Sequence, residues 1–247
     1  MNHNSTRLII LQKAPVLLDG GHWLMVNLGL HFILSGSSAN TFGGRLIPRT
    51  LFSLVSKEVI DFQINKAVQN GMIPRHYLVN NATDRLEGYV EAYMREEIRN
   101  EAAVHDVEAF EQFMEATTFS NGEMINYSNI ACDCDVDAKT VKSYYQILKN
   151  PLMGYEMSAY AKAINQKVVQ ASKFYCFDVG LANYLMERCQ LRRESNDYGH
   201  AFKHFIMQEL IAYLSYFRHR EKISYWPTDN NQEVDAFIGD AKVAIEI

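Results

Sequence analysis

The chain has 247 residues, 48% of them hydrophobic and 21% charged, and its 24 basic against 29 acidic side chains leave a formal charge of −5. That composition argues against a disordered chain, so a core-forming globular protein is expected. The charge is too mild to name a partner, and nucleic-acid binding would have to rest on a local cationic face.

In chain order, "RLIIL" and "HFILSGSSA" read as two apolar strands, and a stretch around Leu17 to Val26 reads as the helix that crosses between them. Short apolar runs bounded by loop residues suit buried parallel strands. "SKEVIDFQINKAVQNG" then predicts a helix from a Ser56 cap to a stop at Gly71. Asp84 and Glu87 have the spacing of a capping box ahead of Leu86, Val90, Tyr93, Met94 and Ile98. "DVEAFEQFMEATT" predicts a further helix from Asp106.

"NYSNIACDCDVDAKTVKSYYQILKN", from Asn126 to Asn150, predicts a short helix, a tight turn at Val136-Asp137 and a second helix capped by Asp137. Val141, Tyr144 and Leu148 fall on one face of the second helix, with Lys139, Lys142, Gln146 and Lys149 on the other. This is the layout of a helix-turn-helix, in which lysines meet phosphates while Ser143 or Gln146 approaches base edges. An ordinary helix pair with a solvated basic face, or a winged helix that contacts protein, fits the same residues. The partner expected is therefore DNA or protein.

Further on, "KFYCFDVGLANYL" predicts a strand and a helix, and "HAFKHFIMQELIAYLSYF" a long helix. Its apolar stripe runs through Phe202, Phe205, Ile206, Leu210, Tyr213, Leu214 and Phe217, and Glu209 falls inside it. A carboxylate there is costly unless paired or used. "KISYWP" reads as a strand, "TDNNQ" as a turn, and "EVDAFIGDAKVAIEI" as a closing hairpin. Alternation puts Glu233, Asp235 and Phe237 on one face of its first strand and Lys242, Ala244 and Glu246 on one face of its second. Adjacent strands can bring Asp235 and Glu246 together as metal ligands, and Glu209 can approach from the preceding helix. Converging carboxylates of this kind hold Mg²⁺, which can polarise a phosphodiester.

No apolar stretch approaches the about 20 residues of a membrane span, and the N-terminus has no signal-peptide pattern. A cytoplasmic protein without a membrane partner is expected. Cys132, Cys134, Cys176 and Cys189 match neither a redox nor a zinc spacing, so free thiols in a reducing compartment are expected.

The order of helix Glu, strand Asp and strand Glu resembles a PD-(D/E)XK nuclease core, in which a Lys follows two residues after the Glu. Here the chain stops at Ile247, one residue short of that position. More broadly, "FILSGSSA", "GGRLIPRTLFSL", "VKSYYQIL", "KFYCFDVGLANYL", "YGHAFKHFIMQEL" and "YWPTDNNQEVDAFIGDAKVAIEI" resemble, in that order, a prokaryotic family of AAA ATPases. Its members carry a C-terminal domain of unknown function made of a winged helix and a PD-(D/E)XK-like fold. The resemblance runs from Gln12 onward. It implies an α/β plus α architecture: a truncated P-loop ATPase remnant over 1–55, a helical lid over 56–105, a winged helix over 106–170 and a PD-(D/E)XK-like domain over 171–247, clipped at its C-terminus. ATP and Mg²⁺ are the cofactors implied, with Ser37 as a polar sensor and Arg45 as a phosphate-facing arginine. The departures are specific. No Gly-rich phosphate loop precedes the "SGSS" strand, and Ile10 and Leu11 stand where the two acids before "QKAP" belong. An apolar pair neither coordinates Mg²⁺ nor activates water. Where the family tends to have an acid at the start of the long helix, this chain has Lys203. The expectation is a partial ATPase unable to hydrolyse ATP. A Mg²⁺-dependent nuclease acting through Glu209, Asp235 and Glu246, or a gene fragment produced by truncation, are the alternatives.

Overall fold

A computed structural model describes residues 7–8, 32–33, 49–78, 86–88, 107–149, 153–160, 171–188, 190–227, 233–240 and 242–247, and the chain divides into two units, Met1–Arg49 and Thr50–Ile247. In the first unit β1 (Arg7–Leu8) and β2 (Phe32–Ile33) pair in parallel, Arg7 opposite Phe32 and Leu8 opposite Ile33. The two apolar runs therefore meet in the orientation expected of them. Ser37, Arg45 and the helix expected around Leu17 lie outside the described residues.

The second unit begins with a correction. One helix was expected from Ser56 to Gly71, but the chain forms a 3-10 turn at Ser56–Glu58 and then α1 at Ile64–Asn70. Asp61 between them takes a φ of 56°, a left-handed conformation that no helix interior tolerates. α1 does stop at Gly71, at φ 73°, and α2 (Pro74–Tyr77) follows with proline in its first turn. Residues 79–85 and 89–105 of the expected lid, Asp84 included, lie outside the described residues, although Leu86 is buried in a short helical stretch.

α3 (Val107–Phe119), α4 (Tyr127–Asp133) and α5 (Ala138–Lys149) pack around Phe110, Phe113, Tyr144 and Tyr145. Phe110 meets Tyr144 edge-on at 5.0 Å between ring centroids, and Phe113 meets Tyr145 in the same way at 5.0 Å. Such contacts add to the burial of large rings because each edge faces a neighbouring π cloud. β3 (Gly154–Met157) then pairs antiparallel with β4 (Lys173–Cys176), and Met124, between α3 and α4, bridges to Lys173. Thus β4, which the sequence placed at the opening of the final region, is hydrogen-bonded to the strand that follows α5.

α6 (Val179–Leu185) and the long α7 (Asn196–Tyr216) follow. β5 (Ile223–Pro227), β6 (Glu233–Ile238) and β7 (Val243–Ile245) form an antiparallel sheet in that order, the last two being the expected hairpin. A parallel bridge between Ala159 and Tyr225 joins this sheet to the segment after β3. The architecture is mixed α/β, with small sheets and several helices. Among the described residues no helix is long and apolar enough to cross a membrane, and Cys132, Cys134 and Cys176 are free thiols.

Two buried polar side chains of this unit, Asp178 and His204, are tied down by hydrogen bonds. Asp178 caps α6 by accepting from the N–H groups of Gly180 and Leu181, and its other oxygen accepts from the Met72 N–H at 2.8 Å and from Gln208. Gly71 and Gly180 let the backbones meet there: a Cβ on Gly180 would lie 2.1 Å from the Asn70 carbonyl oxygen. On α7, the buried His204 reaches the Cys176 carbonyl and the Asn121 side chain.

Candidate functional site

Asn126 opens α4 by accepting from the Asn129 N–H at 3.1 Å. The chain then turns through Asp135 at φ 50°, and Asp137 starts α5 by accepting from the N–H groups of Lys139 and Thr140, both at 2.7 Å. These bonds, that from Thr140 first, hold the Asp137 carboxyl below its ordinary range. The two caps produce the expected helix, turn and helix. Val141, Tyr144 and Leu148 are buried, joined by Tyr145 and Ile147, while Lys139, Lys142, Ser143 and Gln146 are exposed.

The electrostatics of that exposed face are mixed. Among the described residues neither Lys139 nor Lys142 forms a salt bridge, and the Lys142 ammonium stands 5.2 Å from the centre of the Tyr127 ring. Lys149 differs, because its Nζ donates to Glu156 at 2.7 Å. Burial would raise the Glu156 carboxyl, but the hydrogen bonds from Lys149 and Ser172 outweigh it and bring it below its ordinary value. Asp133, Asp135 and Asp137 are exposed around the turn. A cleft of about 500 Å³ runs alongside, lined by Met124, Tyr127, Ser128, Ala138 and Lys142 among others.

The three carboxylates proposed to converge are each engaged or placed differently. Glu209 accepts from the Ser56 N–H at 2.9 Å and from its hydroxyl at 2.7 Å, so α7 anchors the 3-10 turn through it. Asp235 is buried on β6, whereas Glu246 is exposed. Extending the β6–β7 register one step beyond the Ala236–Ile245 pair does set Asp235 opposite Glu246. Yet one oxygen of Asp235 forms a salt bridge with Lys203 and the other accepts from the Ile247 N–H at 2.8 Å. Among the described residues no group of three or more His, Cys, Asp or Glu could hold a metal ion. The Mg²⁺ implied by the nuclease resemblance does not fit Glu209 and Asp235, whose oxygens are already engaged by Ser56, Lys203 and the Ile247 N–H. The expected nucleotide contacts, Ser37 and Arg45, lie outside the described residues.

In their place stands a cluster that sequence reasoning missed. Lys173, on β4, donates to both oxygens of Glu233 at 2.6 and 2.7 Å, and Lys203, on α7, donates to Glu233 at 2.9 Å as well as to Asp235. Burial acts to lower the Lys203 pKa, but Asp235 and Glu233 outweigh it and raise it. Burial likewise acts to raise Glu233, and the two lysines bring it down. The available signal was the alternation that put Glu233 and Asp235 on one face of a strand, where two carboxylates require countercharge.

The family described as Domain of unknown function (DUF8612) matches residues 62–194, which hold α1 to α6 with β3 and β4. Uncharacterized proteins of Mycobacterium bovis and Mycobacterium tuberculosis are each 19% identical to this chain over 211 residues, covering 83% of it and 47% of their own length. The chain thus spans about half the length of these curated relatives. No solved structure matches.

Proposed function

The chain belongs to the Domain of unknown function (DUF8612) family, and because that description assigns no activity, we propose from its own residues that it is a DNA-docking relative of AAA ATPases that does not hydrolyse ATP. In this reading α3, α4 and α5 with the β3–β4 pair form a winged helix-turn-helix, and α5 meets the duplex. The observation that carries it is the exposed face of α5, where Lys139, Lys142, Ser143 and Gln146 stand opposite a fully packed apolar face. Lys139 and Lys142 have no salt bridge among the described residues to remove them from phosphate binding, whereas Lys149 is held by Glu156. The parallel β1–β2 pair is compatible with a remnant of an α/β ATPase core, and Ile10 with Leu11 in place of acids argues against turnover.

Two lysines supply only a modest electrostatic attraction. Each phosphate neutralised on B-form DNA contributes about −0.9 to the slope of log K against log salt. Fluorescence anisotropy of the full chain with a labelled duplex, repeated across a salt series, is the test. The Lys139→Ala/Lys142→Ala variant is expected to weaken binding and to flatten the slope by about 2. Undetectable binding at low salt, or an unchanged slope in the variant, refutes the reading. A protein-contacting winged helix is the second reading, favoured by the carboxylates of Asp133, Asp135 and Asp137 around the turn, which would repel a phosphate backbone and attract a basic partner. It predicts that Asp133→Asn/Asp135→Asn strengthens DNA binding little but disrupts capture of a basic protein.

A further inference from the structure

Glu233 and Asp235 lie two residues apart on β6. Two carboxylates drawn partly out of water on one strand face must be neutralised, by a divalent ion or by protein cations. The lysines around them form a complete answer. Lys173 is almost fully buried, with its side chain 3% exposed, and the Asp235 side chain is 6% exposed. The two lysines against Glu233 and Asp235 balance to zero. All four carboxylate oxygens are occupied: both of Glu233 by Lys173, with Lys203 sharing one, and those of Asp235 by Lys203 and the Ile247 N–H. A metal entering here would have to displace Lys203 from two carboxylates and leave its ammonium near Lys173 without a counterion.

We propose that the Lys173 and Lys203 ammonium groups are the resident cations of the β6 carboxylates, so that the cluster excludes divalent metal ions and clamps β4, β6 and α7 to one another. The clamp draws one residue or more from each of three elements that are not consecutive in the chain, since α6 lies between β4 and α7 and β5 between α7 and β6. Lys203 is its central member because it alone touches both carboxylates. Replacing that lysine by an acid would turn a neutral cluster into one with three carboxylates against one ammonium, an excess of negative oxygen ligands that suits a hard cation.

Titration of the full chain with MnCl₂, followed by calorimetry, tests this directly. Wild type and Asp235→Asn are expected to give the same isotherm, any uptake coming from surface carboxylates. Lys203→Glu is expected to gain a saturable Mn²⁺ site at least about 10-fold tighter than any in wild type, and adding Asp235→Asn should remove it. A saturable site in wild type that Asp235→Asn abolishes overturns the proposal, as does a folded Lys203→Glu with no gain. Should the variants fail to fold, paramagnetic broadening in wild type decides. Selective broadening of the Lys173 and Lys203 ε-methylene signals by Mn²⁺ overturns the proposal, and unbroadened signals support it.

Discussion

His204 ties the long helix to β4, and acid should cut that tie. Its Nε2 lies 2.7 Å from the Cys176 carbonyl oxygen and its Nδ1 lies 3.1 Å from the Asn121 amide nitrogen. A carbonyl can only accept and an amide nitrogen donates, so the ring is neutral with its proton on Nε2. The Asn121 oxygen accepts from the Cys176 N–H at 2.8 Å, which sets the amide in that orientation. Burial drives the imidazole pKa down to about 4, against the opposing effect of the Cys176 carbonyl. In the unfolded chain it returns to about 6.5. Because the folded value is the lower one, protonation favours unfolding. The contribution of His204 is fully present above about pH 6.5 and is lost as pH falls towards 4. A difference of about 2.5 pKa units corresponds to about 3 kcal/mol, of which about 2.5 is gone by pH ~4.5. Urea unfolding followed by circular dichroism at both pH values measures this in wild type and in His204→Gln, which keeps a donor for the Cys176 carbonyl and does not titrate. The variant should be less stable at neutral pH and lose about 2.5 kcal/mol less on acidification. Equal losses in the two proteins would refute the buried neutral imidazole.

The other expectations concern charge and close approach. Lys173→Met leaves the Glu233 and Asp235 pair with one ammonium between them; a broken buried pair costs about 3–5 kcal/mol, reduced here to about 2–3 because Glu233 is partly solvated. That corresponds to a melting temperature lower by about 5–10 °C. Lys173→Met/Glu233→Gln should recover at least half of it, and a double variant as unstable as the single would count against the charge argument. Gly180→Ala forces a methyl into the backbone at Asn70 and Gly71 and should cost about 3 kcal/mol in thermal or chemical unfolding. Gly199→Ala, whose Cβ would meet nothing within 4 Å on α7, should instead stabilise by about 0.5–1 kcal/mol. If the two glycines respond alike, the close contact between the Gly71 and Gly180 backbones is not what constrains position 180.

What could be read from the sequence followed the range over which the determining forces act. Helices α3 to α5 were legible because their determinants are local: the caps at Asn126 and Asp137 lie beside the residues they satisfy, and Val141, Tyr144 and Leu148 repeat at helical spacing. The stripe on α7 was legible only in part. Tyr213 and Phe217 are exposed, whereas His204 and Gln208 are buried because their partners sit on β4 and at the head of α6. No periodicity within a helix encodes a hydrogen bond to a carbonyl 28 residues away.

Glu209 and Lys203 carry that point to the candidate site. A carboxylate inside an apolar stripe demands a partner, and that much followed from the helical spacing alone. The demand does not say whether the partner is a metal, a cation or a hydroxyl, and the partner here is Ser56, 153 residues distant. Lys203 reverses the case: alone in the sequence it is an ordinary helix lysine, and only the fold reveals that it faces two carboxylates. An acid at that position, as the family it resembles tends to have, would have added to the negative charge of β6 and called for an external cation. A lysine supplies the cation from within, so one side chain decides whether the same three elements gather around a metal or around themselves.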